Sequence, residues 1–242
     1  MGNNELKIVS WNCKYGLSKE KAATFLEAFH DAEIYVIQEC KRMDVDIFKN
    51  DWKSKNWYGD DLDEKSELGI AIFSKTWKIE FTNEFNRNFR YVVPFRISKN
   101  NKSFVLFAVW TKSHKYGPYN YDENVTKALN TPEYKKLYDE GAIIIGDFNT
   151  ASNDTDNTHI KYYENLVSGL NNFYDCANET EIHKTTFRDW RGLFRNDFCF
   201  ITNEFPGKII NYKVHDDWED KEGQKCYPYL SDHCPISVVF EF

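Results

Sequence analysis

The sequence predicts an α/β fold in which two β-sheets pack against each other and helices cover the outside. Two observations lead there. Nine short apolar runs, rich in β-branched and aromatic residues, recur along the 242 residues, and only three helical patterns interrupt them, at uneven spacing. A third observation sets the organisation: no repeat, low-complexity tract or Pro/Gly/Ser-rich linker divides the chain, so a single domain over 1–242 is expected.

In chain order the runs are 6–11 (LKIVSW), 34–38 (IYVIQ), 68–74 (LGIAIFS), 91–97 (YVVPFRI), 103–110 (SFVLFAVW), 142–146 (AIIIG), 198–202 (FCFIT), 208–214 (KIINYKV) and 235–240 (PISVVF). Their length and composition suit strands. Pro94, inside the fourth run, has no N–H for a ladder, which predicts an edge strand or a bulge there. The first helix is read over 18–30, where Ser18 is a good N-cap and Phe25, Leu26 and Phe29 form an apolar stripe. The second is read over 124–139, interrupted near Pro132, and the third over 157–168, ended by Gly169.

Composition excludes several classes. No apolar stretch approaches the roughly 18 residues that span a bilayer as a helix. The start, MGNNELKIVSWN, lacks the basic, apolar and small-residue regions of a signal peptide, and Leu6 stands where N-myristoylation prefers Ser or Thr, so an intracellular, cytoplasmic protein is expected. The six cysteines form no C-x-x-C pair; zinc and a disulfide framework are not expected, and the thiols read as buried packing groups. With a formal net charge of −7, the protein is not built to hold duplex nucleic acid by charge alone. An anionic substrate needs a local basic patch or a metal ion.

Polar residues suited to metal or phosphate sit at the ends of the runs. Run 6–11 leads into Asn12, 34–38 into Glu39, and 142–146 into Asp147 and Asn149; Asp197 precedes 198–202, and Asp232 and His233 precede the last run. Alternation along a strand lets Asp147 and Asn149 face one site while Phe148 turns to the core. Antiparallel pairing sets the end of one strand beside the start of the next, so these distant residues converge on one rim. Each motif alone is also compatible with a turn or a cap; their order carries the reading.

That order resembles the endonuclease/exonuclease/phosphatase superfamily of metal-dependent phosphodiesterases. The matching segments are SWN (10–12), IQE (37–39), GIAIFS (69–74), GDFN (146–149), NDFCFI (196–201) and SDHCPI (231–236), over about residues 6–241. The resemblance implies a four-layer α/β sandwich of two packed, mostly antiparallel β-sheets flanked by helices. It also implies that Glu39 binds a divalent metal, Mg2+ or Mn2+, with Asn12 and Asp232 close by. Asp147 would orient or deprotonate the attacking water, held by Asn149, and His233, paired with Asp197, would stabilise charge on the phosphate. The chemistry agrees with the residue types: four carboxylates repel a phosphate unless a cation reverses the sign. One position departs from the family pattern. Trp110 stands where a His or Tyr usually contacts the scissile phosphate; an indole offers one N–H and no acid, and His114 is the nearby alternative.

The segment HKTTFRDWRGLFRND (183–197) is the most nucleic-acid-like stretch. Arg188, Arg191 and Arg195 can grip phosphate, and Trp190 among its aromatics can stack on a base; the competing role is a surface loop with core aromatics. Arg87 and Arg90 form a weaker second candidate. The function expected is magnesium-dependent hydrolysis of DNA or RNA by an endo- or exonuclease. The alternatives are a phosphatase or phosphodiesterase for an inositol phosphate or sphingomyelin-like headgroup, and a non-catalytic binding module on the same fold. No protein partner is implied. His30, His159 and His215 read as ordinary surface or helix-end residues.

Overall fold

All nine apolar runs form strands, and among the described residues five further short strands join them. In this computed structural model, which describes residues 4–47, 52–59, 67–115, 118–151, 153–154, 156–180 and 184–242, the elements follow in this order. They are β1 (Glu5–Asn12), α1 (Lys19–Ala28), β2 (Ile34–Lys41), β3 (Ser54–Gly59), β4 (Leu68–Ser74), β5 (Lys78–Phe81), β6 (Val92–Lys99), β7 (Lys102–Trp110), α2 (Tyr121–Leu129), α3 (Pro132–Asp139), β8 (Ala142–Asp147), α4 (Asn157–Gly169), β9 (Phe173–Asp175), β10 (Phe187–Asp189), β11 (Gly192–Phe194), β12 (Asp197–Thr202), β13 (Lys208–Val214) and β14 (Ile236–Glu241).

One six-stranded sheet has the order β13-β14-β1-β2-β4-β3 and the other β5-β6-β7-β8-β12-β9. Each is antiparallel except for one parallel pair at its centre, β1–β2 in the first and β7–β8 in the second. The strands missed by the sequence reading include β3, β5 and β9, which all lie at sheet edges. An edge strand buries less of itself and needs no continuous apolar run, so SKNWYG and KIEF carry little signal.

The apolar alternation sorts residues into layers. Ile8, Val36, Leu106, Ile143 and Ile145 fill the space between the sheets. Val9, Trp11, Tyr35 and Ile37, on the opposite face of the first sheet, pack under Phe25 and Phe29. On the outer face of the second sheet, Phe107, Ile144 and Phe198 meet Val125, Leu129, Tyr134 and Leu166 of α2, α3 and α4. The result is the four-layer sandwich with α1 on one side and three helices on the other. Three successive isoleucines are therefore required at 143–145, because β8 is covered on both faces.

Local chemistry sets the helix ends. Ser18 caps α1 by accepting from Lys21 N. The interruption at Pro132 is a new helix start: Thr131 accepts from Tyr134 N and Pro132 takes the first turn, where its missing N–H costs nothing. α2 begins at Tyr121, earlier than read, and Gly169 is the last residue of α4, with Leu170 as its cap. Pro94 corrects an expectation. β6 is an inner strand in unbroken register with β7, and β5 ends at Phe81, opposite Phe95, so the ladder on that side stops beside the proline. Gly146 has φ of 147°, and a Cβ there would lie 2.0 Å from the Val109 carbonyl oxygen; no other residue lets β7 and β8 approach this closely.

His215 is also not the surface residue expected. Its ring packs edge-on against Phe29 (4.7 Å) and its Nε2 lies 2.9 Å from Ser237 Oγ. Burial, then Lys213 and Lys7, push its pKa down to about 4. The unfolded chain therefore takes up the proton first as pH falls from the ordinary histidine value, and folding stability falls with it. Between pH 7.5 and pH 4.5 the contribution lost is on the order of 2 kcal/mol. Urea midpoints at the two pH values should differ less in His215→Gln than in the parent protein.

Among the described residues, no helix is long and apolar enough to cross a membrane.

Candidate active site

Two parallel strand pairs, one in each sheet, end on the same rim. β1 and β2 deliver Asn12 and Glu39, while β7 and β8 run in register from Val105/Ala142 to Trp110/Asp147. β12 runs antiparallel to β8 and starts where β8 ends, with Asp197 directly opposite Asp147. Glu39 falls where the register between β2 and β4 shifts, between Ile37 and Cys40, and its φ is +56°. The bulge turns its carboxylate out of the ladder and toward Asn12. Of the five non-glycine residues with positive φ among the described residues, four (Lys14, Tyr15, Glu39 and Asn149) are at this rim. Such conformations cost energy and persist only where the surroundings hold them.

The side chains form one connected set. Asn12 Nδ2 donates to Glu39 Oε1 (3.2 Å) and to Asp147 Oδ2 (2.9 Å), joining the two sheets. Asn149 donates to Asp147 twice, from its backbone N–H to Oδ1 and from Nδ2 to Oδ2, both at 2.9 Å, and Nδ2 also reaches Thr111 O (3.0 Å). His233 Nδ1 lies 2.9 Å from Asp197 Oδ2, and Nε2 lies 3.8 Å from Asp147 Oδ2. Ligand atoms of Asp147, Asp197 and His233 all lie within 4.8 Å of one another, a grouping able to hold a metal ion. Asn12, Asp147, Asp197 and His233 are buried, while Glu39 is half-buried at the mouth.

Burial raises the proton affinity of Asp147; His233 opposes that shift and Asp197 adds to it. Burial pulls the other way on His233, but the Asp197 and Asp147 carboxylates more than offset it and lift its pKa. A proton in this pocket therefore belongs on the imidazole, between two carboxylates.

Sequence reasoning missed several residues that position the set. Trp11 Nε1 donates to His233 O (3.0 Å), Ser231 Oγ donates to Asn12 O (2.7 Å), and Ser231 Oγ accepts from His233 N (3.1 Å). The buried Thr186 hydroxyl accepts from Asn196 N and Asp197 N, each at 3.0 Å. Trp11 and Ser231 lie within the motifs themselves, but strand alternation turns Trp11 into the core, and only the fold shows its bond to His233. Trp11→Phe leaves the His233 carbonyl without that donor. It should cost about 1–3 kcal/mol of stability by urea titration and lower turnover about tenfold through a loosened histidine.

Asp232 is placed differently from the buried group. Its carboxylate, about a quarter exposed, pairs with Lys14 Nζ at 2.8 Å. Trp110 is 6% exposed and packed into the interior under the Lys112 ammonium (3.9 Å). His114 is exposed and bonded to Asn120 at the start of α2.

The arginine-rich segment forms the hairpin β10–β11, with Trp190 and Arg191 at its turn; His183 lies outside the described residues. The hairpin is mounted on the loop that carries Asp232 and His233: Arg188 N donates to Asp232 O (2.9 Å), and the Phe187 ring lies tilted against His233, ring centres 4.6 Å apart. Trp190 is 92% exposed and Arg188 is also exposed. Arg191 is engaged by Asp189 (2.8 Å) and Asp154 (3.1 Å). Arg195 corrects the sequence expectation of a substrate contact. It is 8% exposed, ion-paired with Asp175 at 2.8 Å and stacked over Phe198, so its guanidinium serves the sheet. Asn149, Phe187, Trp190, Arg191 and Asn196 line a cleft of about 540 Å3. A second cleft of about 570 Å3 is lined by Arg42, Trp57, Tyr58 and Arg87, whereas Arg90 is buried.

A sequence model of the endonuclease/exonuclease/phosphatase family matches residues 9–233. The chain belongs to that family. Its reaction class is hydrolysis of phosphoric esters. Among solved structures, the fold is similar to D. rerio TDP2 humanised by 14 mutations, at 15% identity and TM-score 0.66, covering 99% of this chain and 100% of that one. It is similar to the endonuclease domain of TRAS1, a telomere-specific non-LTR retrotransposon, at 16% identity and TM-score 0.67 over 98% of each chain. An endonuclease/exonuclease/phosphatase from Bacteroides vulgatus matches at 14% identity and TM-score 0.68, over 98% of this chain and 99% of that one. No curated protein matches the chain in sequence.

Proposed function

We propose that this protein hydrolyses phosphodiester bonds of nucleic acid with the help of a bound divalent cation, as an endo- or exonuclease. The reading rests on the Asn12 amide. One Nδ2 group bonded to both Glu39 and Asp147 sets a half-buried carboxylate suited to an ion beside a buried one suited to a proton. Glu39 would hold the ion, with Asn12 and Asp232 beside it. The donors are oxygens, and burial keeps the neighbouring Cys13 and Cys40 thiols protonated, which fits Mg2+ or Mn2+ and not a thiolate-seeking metal. When bound, such a cation places positive charge on phosphate oxygens and acidifies water.

Asp147 takes the proton of the attacking water, a role suited by a proton affinity raised toward neutrality. Asn149, bonded to both of its oxygens, fixes its direction. His233, kept protonated between Asp197 and Asp147, faces the charge that develops on the phosphate. For the substrate, the exposed Trp190 offers a stacking face and Arg188 a phosphate contact, both on the hairpin tied to Asp232. Two similar folds support nucleic acid: the TRAS1 endonuclease domain, and D. rerio TDP2 complexed with a single-strand DNA product, at 14% identity and TM-score 0.66. A cytoplasmic setting belongs to the same reading, with six buried free thiols in support.

The test is incubation with single- and double-stranded DNA and RNA, with Mg2+ and with EDTA. Cleavage of at least one substrate with Mg2+, lost in EDTA, is expected. No product from any of the four, together with phosphate release from inositol polyphosphates, transfers the activity to a small phosphoester.

A further inference from the structure

The loop that follows β1 is held unusually firmly. Lys14, Tyr15 and Gly16 all have positive φ, at 50°, 58° and 108°. Lys21 Nζ donates to three carbonyl oxygens of this loop, those of Cys13 (2.7 Å), Lys14 (2.9 Å) and Gly16 (3.4 Å). Leu17 N donates to the buried Asp44 (2.6 Å), which also accepts from Lys41 N at the end of β2 (2.8 Å). From above, Lys14 N donates to Asn12 Oδ1 (3.0 Å) and Tyr15 N to Glu39 Oε2 (2.9 Å). This backbone carries the Lys14 ammonium to 2.8 Å from Asp232 Oδ2.

We propose that Lys14 is a built-in second cation of the site, holding Asp232 in place of a second divalent ion, so that the pocket takes up one divalent ion. The inference rests on the metal-dependent reading above and fixes the number of ions it uses. The charges favour it. Glu39, Asp147, Asp197 and Asp232 bring four negative charges, and the His233 imidazolium and Lys14 ammonium bring two positive ones. The remaining two negative charges are cancelled by one divalent ion. Without Lys14 the pocket would carry three, and Asp232 would be open to another ion. A tethered ammonium also sits in the site at all times, whereas a free ion has to be recruited from solution.

The experiment is Mn2+ binding to the metal-stripped 242-residue chain, followed by the EPR signal of free Mn2+ and by calorimetry, without substrate. Lys14→Met keeps the length and removes the charge without adding an oxygen donor. One bound Mn2+ is expected for the parent and two for Lys14→Met, the second bound at least about tenfold more tightly than any further ion on the parent, as removal of a like charge from a part-exposed site allows. Lys14→Arg should return to one, and so should Lys14→Met combined with Asp232→Asn, because the ligand is then gone. Thermal melts of all variants check that each is folded. Equal stoichiometry and affinity in the parent and Lys14→Met overturn this inference and leave the metal-dependent reading standing. No Mn2+ binding by either chain overturns both.

Discussion

Asp147→Asn is expected to lower turnover about 10²–10⁴-fold, the range of a lost general base, while the protein stays folded. The substitution keeps the shape of a side chain that is fully buried and bonded to Asn12 and Asn149. Its effect on stability has a definite sign. Because burial raises the proton affinity of Asp147, the folded state binds a proton more readily than the unfolded one, and ionisation at higher pH works against folding. Removing the charge relieves that cost, and the lost acceptor opposes the gain, because the amide nitrogen replaces either Oδ1, which accepts from Asn149 N, or Oδ2, which accepts from Asn12 Nδ2 and Asn149 Nδ2. The melting temperature at pH 7.5 should therefore match or exceed that of the parent. Activity and stability measured on one preparation separate a catalytic carboxylate from a structural one: full turnover in the variant would remove Asp147 from the base role, and a collapsed melting temperature would make its role architectural.

His233→Ala should lower turnover about 10²–10³-fold, as expected when a donor to a developing oxyanion is removed, and here stability falls as well. The imidazole lies between Asp197 (2.9 Å) and Asp147 (3.8 Å), all three buried. Taking away the central cation leaves two buried carboxylates facing each other, a change that costs about 3–5 kcal/mol when one partner of a buried pair is lost. The deficit should shrink as pH is lowered from 7.5 to 5.5, because protonation of the Asp147 carboxylate, whose proton affinity burial raises, relieves the repulsion. Urea titrations at the two pH values measure this, and the residual rate at pH 7.5 measures the catalytic part. Near-full activity in the variant would end the proposed role.

Much of this architecture was legible in the chain because β8 and its neighbours are covered on both faces, and a strand so placed needs an unbroken apolar run. The polar residues that close those runs, Asn12, Glu39, Asp147 and Asp197, stand out for the same reason: nothing in the interior calls for them. The edge strands β3, β5 and β9 left little trace, since half of each faces solvent. Arginines were the hardest to place. Arg188 and Arg195 read alike along the chain, yet one lies on an open hairpin and the other under a sheet against Asp175. Asp175 is 20 residues from Arg195 and belongs to an edge strand with almost no signal of its own. The bonds from Trp11 to His233 and from Ser231 to Asn12 span 222 and 219 residues, and no local pattern encodes a partner so remote.

The amide of Asn12 also ties activity to the docking of the two sheets. It belongs to the first sheet and grips a carboxylate of the second, 135 residues further along. A chain in which both sheets had formed but not yet docked would possess every reactive side chain and no working centre. During refolding, recovery of the enzyme should trail recovery of backbone circular dichroism.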